Sequence, residues 1–202
     1  GTDAYRDRVV ISKYLSQEYF VVENEDSVNV SYHITGANTV EVGAESGNAV
    51  GYDVTEVEIP ETVGIYTVNG IAAEAFEWQD SLQKVTLPAT IERIGYGAFM
   101  FCTNLYDVYM LSETAPVLLD ANGNRTDNNN AFFGLPYPDV EPTDPDTDPT
   151  AGDPTYGARA ILGTTLSNSN GGATLHVPYG CLGEYDKYPW NWWFTSIKDD
   201  AT

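Results

Sequence analysis

The sequence predicts a short solenoid, mainly β or α+β, in which coils stack to share a narrow parallel sheet between an N-terminal β-rich cap and a C-terminal capping segment. The first observation is a repeat: I-A-A-E-A-F at 71–76 returns as I-G-Y-G-A-F at 94–99. Ile71/Ile94, Ala75/Ala98, Phe76/Phe99, Leu82/Leu105, Val85/Val108 and Leu87/Met110 all stand 23 residues apart. A unit this short cannot bury its own apolar face and must stack on a neighbour. The second is V-T-E-V-E-I-P-E-T-V at 54–63, which matches L-Q-K-V-T-L-P-A-T-I at 82–91 with an offset of 28, so the first unit carries five extra residues around G-I-Y-T-V-N-G. The third is a degenerate last copy, split into Ala131-Phe132 and A-T-L-H-V-P at 173–178.

Taken in order, residues 1–50 form the cap. D-A-Y-R-D-R-V-V-I could start a helix with Asp3 as N-cap, while the β-branched run Val9–Val10–Ile11 favours a strand. S-V-N-V-S-Y-H-I and N-T-V-E-V-G alternate as the two arms of a hairpin joined near T-G-A-N. Such a cap covers the first exposed edge of a repeat array. Residues 51–134 hold the repeats: V-x-I/L-P reads as a short strand that Pro ends because it has no N–H for the ladder. The A-F dipeptide then inserts an aromatic plug between coils. Residues 135–172 interrupt the repeat with a Pro- and Asp-rich insertion, extended and mobile by composition. Residues 173–202 supply the last repeat strand and the C-terminal cap.

The chain of 202 residues carries 30 acids against nine bases, a formal charge of −21. That field repels phosphate backbones and anionic headgroups, which argues against nucleic acid and membrane surfaces as partners. It suits calcium, a basic partner or simple solubility. No apolar run of 18 or more exists, so no segment reads as membrane-spanning. A start at Gly1 with neither a Met nor a charged-then-apolar leader is what a mature or trimmed chain would show, any export signal being already removed. Cys102 and Cys181 could bridge in an oxidising compartment or remain two buried thiols, since spacing does not fix geometry.

The run I-G-x-x-A-F-x-x-C-x-x-L-x-x-V, at Ile94 to Val108, resembles the BspA-like leucine-rich repeats of secreted and surface proteins, abundant in gut Bacteroidetes and in some parasitic protists. The closing T-L-H-V-P-Y-G-C-L-G-E-Y-D-K-Y-P-W-N-W-W-F-T-S-I-K-D is similar to the end segment of those proteins: strand, V-P-x-G-C, short helix, aromatic cluster. The resemblance runs from about Thr39 to Asp199 apart from the insertion. One unit departs from it with Gln79 where the other has Cys102. It implies a leucine-rich-repeat-like solenoid, export, cell-surface placement and adhesion or host-matrix contact. Lipid anchoring and release as a secreted or periplasmic protein both stay open.

Chemical motifs fail on inspection. Asp144, Asp146 and Asp148 have the spacing that opens a calcium loop, but Pro149 and Thr155 stand where Gly and Glu are required. D-A-N-G-N-R-T from Asp120 fails likewise, with Arg125 at the Gly position. A solvated acidic loop is the simpler reading, and no metal site or cofactor is assigned. Gly95 and Gly97 lack the third glycine of a dinucleotide fingerprint, Met100 standing there. Cys102 with His33 or His176 is the one conceivable thiol–imidazole dyad, yet Cys102 occupies a packing position where a thiol is inert. No catalytic residue is named, and the chain is expected not to be an enzyme.

Two surfaces remain. With Val57/Ile59, Val85/Leu87, Val108/Met110 and Leu175/Val177 facing inward, strand alternation sends Glu56, Glu58, Lys84, Thr86, Asp107, Tyr109, Thr174 and His176 outward as one column. Solenoid sheets present such columns for binding. Tyr109 is its expected centre, and His176 would make contact pH-dependent. The expected function is a non-enzymatic, exported interaction module whose partner is a protein or glycan at the cell surface. The alternative is a carbohydrate-binding accessory domain that uses the rings of Tyr188 to Phe194, Trp190, Trp192 and Trp193 among them. Covering the raw apolar face of a terminal coil accounts for the same rings.

Overall fold

The computed structural model describes residues 9–10, 18–127, 129–136 and 172–202. The proposed helix start at Asp3, the triad Asp144, Asp146 and Asp148, and the insertion from residue 137 to 171 lie outside the described residues. Val9–Val10 is a strand, as its β-branching requires.

The chain is a β-solenoid, and each coil contributes to two sheets rather than to one. The second sheet, with five strands, is the expected one. It runs β5 (Glu56–Glu58), β8 (Lys84–Leu87), β10 (Asp107–Met110), β12 (Thr174–Pro178) and β13 (Ser196–Ala201), all parallel. The first sheet continues the N-terminal strands. β1 (Val9–Val10), β2 (Tyr19–Glu23), β3 (Asn29–Ile34) and β4 (Thr39–Val42) pair antiparallel, with Thr35 N–H donating to Thr39 O across the expected hairpin turn. From β4 onward the pairing turns parallel through β7 (Tyr66–Ile71), β9 (Arg93–Ile94) and β11 (Val117–Leu118), and β6 (Thr62–Val63) folds back on β7. The five extra residues of the first full unit build this β6–β7 hairpin, with Gly64 at φ +61° at its tip. The antiparallel strands thus occupy the side of β4 on which no earlier coil stands.

Inside the coil, every pair of the 23-residue repeat is buried: Ile71/Ile94, Ala75/Ala98, Phe76/Phe99, Leu82/Leu105, Val85/Val108 and Leu87/Met110. The A-F corner forms the third side. Phe76 lies on Phe99 with centroids 4.8 Å apart and planes 7° from parallel, and Phe99 on Phe132 at 5.0 Å and 3°. Backbone bonds hold the rungs together, Phe76 N–H to Ala98 O at 2.8 Å and Phe99 N–H to Ala131 O at 2.7 Å. Three residues after each Phe, Gln79, Cys102 and Leu135 share one interior place. Gln79 Nε2 donates to Val50 O at 3.1 Å and the Cys102 thiol to Phe76 O at 2.9 Å, so the departure from Cys in the first copy keeps a polar tie to the preceding coil. Burial pushes the Cys102 thiol up to about 12, which keeps it protonated and inert. Leu135 and Pro136, at the start of the expected insertion, are buried rather than loose, and Ala173 N–H closes on Pro136 O at 2.9 Å.

The corner turns left-handed twice per coil. Glu74, Gly97 and Asn130 precede the Ala with φ of +57°, +59° and +54°. Trp78, Phe101 and Gly134 follow it with φ of +59°, +61° and +78°. Glycine adopts this conformation freely, whereas a bulky residue is held there at a cost of about 1–3 kcal/mol.

At the C-terminal end, α1 (Leu182–Tyr185) and α2 (Trp190–Trp193) carry the aromatic cover. Trp190, Trp193 and Phe194 close on the exposed side of Phe132 with centroids 5.9, 5.5 and 5.1 Å away. Tyr185 is buried among them and its hydroxyl donates to Ser112 O at 2.6 Å. The chain then adds β13, a strand the sequence reading did not assign. Cys102 and Cys181 are both free, and Cys181 is partly exposed rather than buried. Among the described residues no helix is long and apolar enough to cross a membrane.

Candidate functional site

The outer face of the second sheet is built by register. Glu56, Lys84, Asp107 and Thr174 stand side by side on successive strands, and Glu58, Thr86, Tyr109 and His176 form the next row. All eight expected residues therefore share one face in two rows. β13 extends the rows with Ser196 and Lys198, which the sequence reading lacked. The signal for them is weak: S-I-K-D-D-A places one aliphatic residue before two acids and shows little alternation.

Exposure along the face is uneven. Glu56 and Glu58 are exposed and Lys84, Thr86, Asp107, Tyr109 and Thr174 are half-buried, whereas His176 is only 6% exposed. The expectation that His176 projects freely is thus corrected. Tyr109 and β13 cover it: the two rings stack at 4.2 Å and 6°, Nδ1 lies 2.6 Å from Asp200 Oδ1, and Nε2 lies 3.1 Å from Asp107 Oδ1. With its proton on Nδ1 the imidazole donates to Asp200, and a second proton on Nε2 adds a charge-assisted bond to Asp107. From the flanking β8, Lys84 Nζ stands 5.5 Å from the Tyr109 centroid and 3.6 Å from Glu56. Tyr109 is the junction of this network and its phenol ring is fixed in place before any partner arrives.

A groove of about 400 Å³ runs along the first row, lined by Glu56, Gln83, Lys84, Tyr106, Asp107 and Lys198 among others. Burial raises the Tyr106 phenol above its ordinary value. Among the described residues, Tyr106 Oη is one of three buried side-chain polar atoms without a hydrogen-bond partner, with Asn69 Oδ1 and Gln79 Oε1. A more open cleft of about 630 Å³ lies beside β5, walled by Asp26, Asp53 and Glu56.

The remaining candidates separate. Cys102 is sealed in the core on Phe76 O, while His176 is engaged by two carboxylates on the outer face and His33 Nδ1 pairs with Glu41 at 2.9 Å, so no thiol–imidazole dyad forms. Asp120 accepts from Asn122 and Asn124 N–H at 2.8 and 2.9 Å, which makes D-A-N-G-N-R-T a self-capped turn and holds the Asp120 carboxyl below its ordinary value. Among the described residues no group of three or more His, Cys, Asp or Glu could hold a metal ion. Trp190 and Trp193 are each 3% exposed, and Trp192 is half-buried, so most of the C-terminal cluster faces inward.

Parallel strands in register, an aromatic plug per coil and polar rows outside define a short leucine-rich-repeat-like β-solenoid. No protein-family model matches the chain, and no curated protein does. Among solved structures the chain is similar to a leucine rich cell surface protein from Faecalibacterium prausnitzii A2-165. The identity is 27%, over 48% of this chain and 22% of that one, with a TM-score of 0.30. The chain thus spans about a fifth of that protein's length. The coil geometry, and not this neighbour, defines the fold.

Proposed function

We propose that the protein is a non-enzymatic, exported interaction module of the BspA-like type that binds a surface partner through the outer face of the second sheet. One observation carries the reading: five strands bring their outward side chains into two eclipsed rows with the pre-ordered Tyr109–His176 pair at the middle. A fixed aromatic ring with a polar tip loses little entropy on binding and is a favoured interface anchor. Lys84 and Lys198 lie among Glu56, Glu58, Asp107 and Asp200, so the partner presents mixed polarity with a basic excess. The unpartnered Tyr106 hydroxyl beneath the groove supplies one further donor to a group that enters it.

The test is surface plasmon resonance against purified extracellular-matrix and epithelial surface proteins, with wild type beside Tyr109→Ala. Binding that falls at least tenfold in the variant, at an unchanged melting temperature, supports this face. A verified partner that binds both chains equally removes it.

A further inference from the structure

The corner of the coil carries a second aromatic series, outside the Phe76–Phe99–Phe132 stack. Trp78 and Phe101 stack with centroids 4.2 Å apart and planes 27° from parallel, and Phe133 meets Phe101 edge-on at 5.5 Å. Phe101 and Phe133 are half-buried, and Trp78 is 50% exposed. Three independent features point from this series to a ligand.

The first is conformational. Trp78 and Phe101 hold left-handed φ, and at the same place in the next coil the chain uses Gly134, the residue that adopts it without strain. Gly134 is there because the Phe101 ring lies over it, where a Cβ would come within 2.7 Å of Cδ1. The ladder thus has a closed end at Gly134 and an open end at Trp78.

The second is the way that open end is made. Trp78 N–H donates to Met100 O and Phe101 N–H to Phe133 O, one rung to the next. The carbonyl that would continue this series, Glu77 O, is taken by the Asn48 side-chain amide at 2.7 Å. The preceding coil turns away before it supplies a ring, and among the described residues Phe101 is the ring that stacks on Trp78.

The third is the rim. Glu77 immediately precedes Trp78, and its carboxyl is held above the ordinary value by burial and then by Glu74, against the lowering effect of a side-chain hydrogen bond with Trp78. A half-buried carboxylate hydrogen-bonded to the indole is an acceptor next to the ring on which a ligand would stack.

We propose that Trp78, backed by Phe101 and flanked by Glu77, is a stacking platform for one pyranose ring of a neutral glycan. The C–H face of a pyranose is apolar and faintly positive and lies flat on the negative π face of an indole. Its equatorial hydroxyls radiate in the ring plane, where Glu77 and Glu74 accept them. The acidic rim and the overall charge of −21 turn away sialylated or uronic-acid chains. A single half-exposed ring suits a sugar better than a protein, which needs a larger patch. This site is separate from the sheet face and does not depend on it.

The experiment is a titration of the whole chain, followed by the indole N–H signals in a ¹⁵N–¹H spectrum, with cellohexaose, laminarihexaose, mannohexaose and chitohexaose up to about 10 mM. Oligogalacturonate and an Arg-rich peptide serve as contrasts. The expected result is a saturable shift of the Trp78 indole with at least one neutral oligosaccharide, the Trp190 and Trp193 signals staying fixed. Trp78→Gly, which removes ring and strain together, should abolish that binding, and Glu77→Gln, which leaves the ring in place, should weaken it severalfold. Tyr109→Ala should leave it unchanged, so that failure here and failure of the sheet face are told apart. No Trp78 shift with any neutral sugar overturns the proposal. So does a shift with the Arg-rich peptide alone, which would make the corner a cation–π site, or glycan binding that survives Trp78→Gly.

Discussion

The two aromatic series of the corner stand one or two residues apart in each coil and obey different rules. Phe76, Phe99 and Phe132 are all at most 1% exposed, stacked within 7° of parallel, and meet the C-terminal cap end to end. Trp78, Phe101 and Phe133 lean away from parallel, lie toward solvent, and belong to a turn whose left-handed positions the third coil fills with Gly134. The inner series shows what stacking demands of a sequence: the same residue at the same place in each coil, even where the spacing lengthens from 23 residues (Phe76 to Phe99) to 33 (Phe99 to Phe132). The outer series shows what it leaves open, because a ring at the surface contributes only part of its area to the core. Five substitutions, one of them followed across pH, probe that difference.

The largest effect is expected inside. Phe99→Ala removes the ring shared by both neighbours of the stack and should cost about 3–5 kcal/mol. Chemical denaturation with an unchanged m-value would register it. A loss below about 1 kcal/mol would mean the coils close over the gap.

Next comes the spacing that lets coils approach. A Cβ on Gly95 would fall 2.4 Å from Ala73 N and 2.7 Å from Ala72 C, both backbone atoms that cannot swing aside. Gly95→Ala should therefore destabilise by about 1–3 kcal/mol or more as overpacking. Gly123→Ala meets no neighbouring atom but holds φ +78°, so it separates backbone strain from crowding in the same melting assay and should cost about 1 kcal/mol.

The inner strands and the A-F plug were legible from sequence because Val85/Val108 and Phe76/Phe99 repeat residue for residue. The first sheet's parallel part was not. β9 (Arg93–Ile94) and β11 (Val117–Leu118) have two residues each, too few to show alternation, and their pairing follows from coil stacking alone. β13 was hidden because three of its six residues are charged and Ile197 is its one large apolar side chain. Of the outer face, the two rows were legible from period-two alternation, while the closure over His176 was not, since Asp200 comes from that unassigned strand. The left-handed Trp78 and Phe101 were illegible for a different reason: the sequence marks that conformation with Gly97 and Gly134, and nothing in a Trp or Phe announces it.

The two cysteines extend the comparison to pH. Cys102, on the inner side, has its thiol raised from the ordinary value to about 12 by burial, so the folded state keeps its proton where the unfolded chain releases it near 9. A raised thiol contributes stability in full below the unfolded value and loses it as pH rises toward the folded one. The alkaline limb of the wild-type stability curve between pH 9 and 12 should accordingly flatten in Cys102→Ala. At pH 8 a maleimide should label Cys181 in the native protein and reach Cys102 only after unfolding. Rapid native labelling of Cys102 would place its thiol outside the core.

The smallest stability effect should come from Trp78→Gly, and its smallness is the informative result. Removing the ring forfeits its stack on Phe101, about 0.5–1.5 kcal/mol beyond area burial. It also gives up the apolar area that half-exposed indole still covers. Glycine adds unfolded-chain entropy against the fold, roughly 0.5–1 kcal/mol. Relief of the left-handed backbone returns about 1–3 kcal/mol in the other direction. These terms oppose one another, so the net change should be within about 1 kcal/mol, seen as a shift of a few degrees in the melting temperature. The same change at Phe99 would have no such compensation, because no left-handed strain is recorded at that residue and its ring is wholly enclosed. A loss at Trp78 as large as that at Phe99 would show that the outer rings hold the coils together as the inner ones do. A near-neutral or stabilising outcome would instead leave the strain at Trp78 without a structural return, which is the condition under which a surface ring is retained for what it contacts.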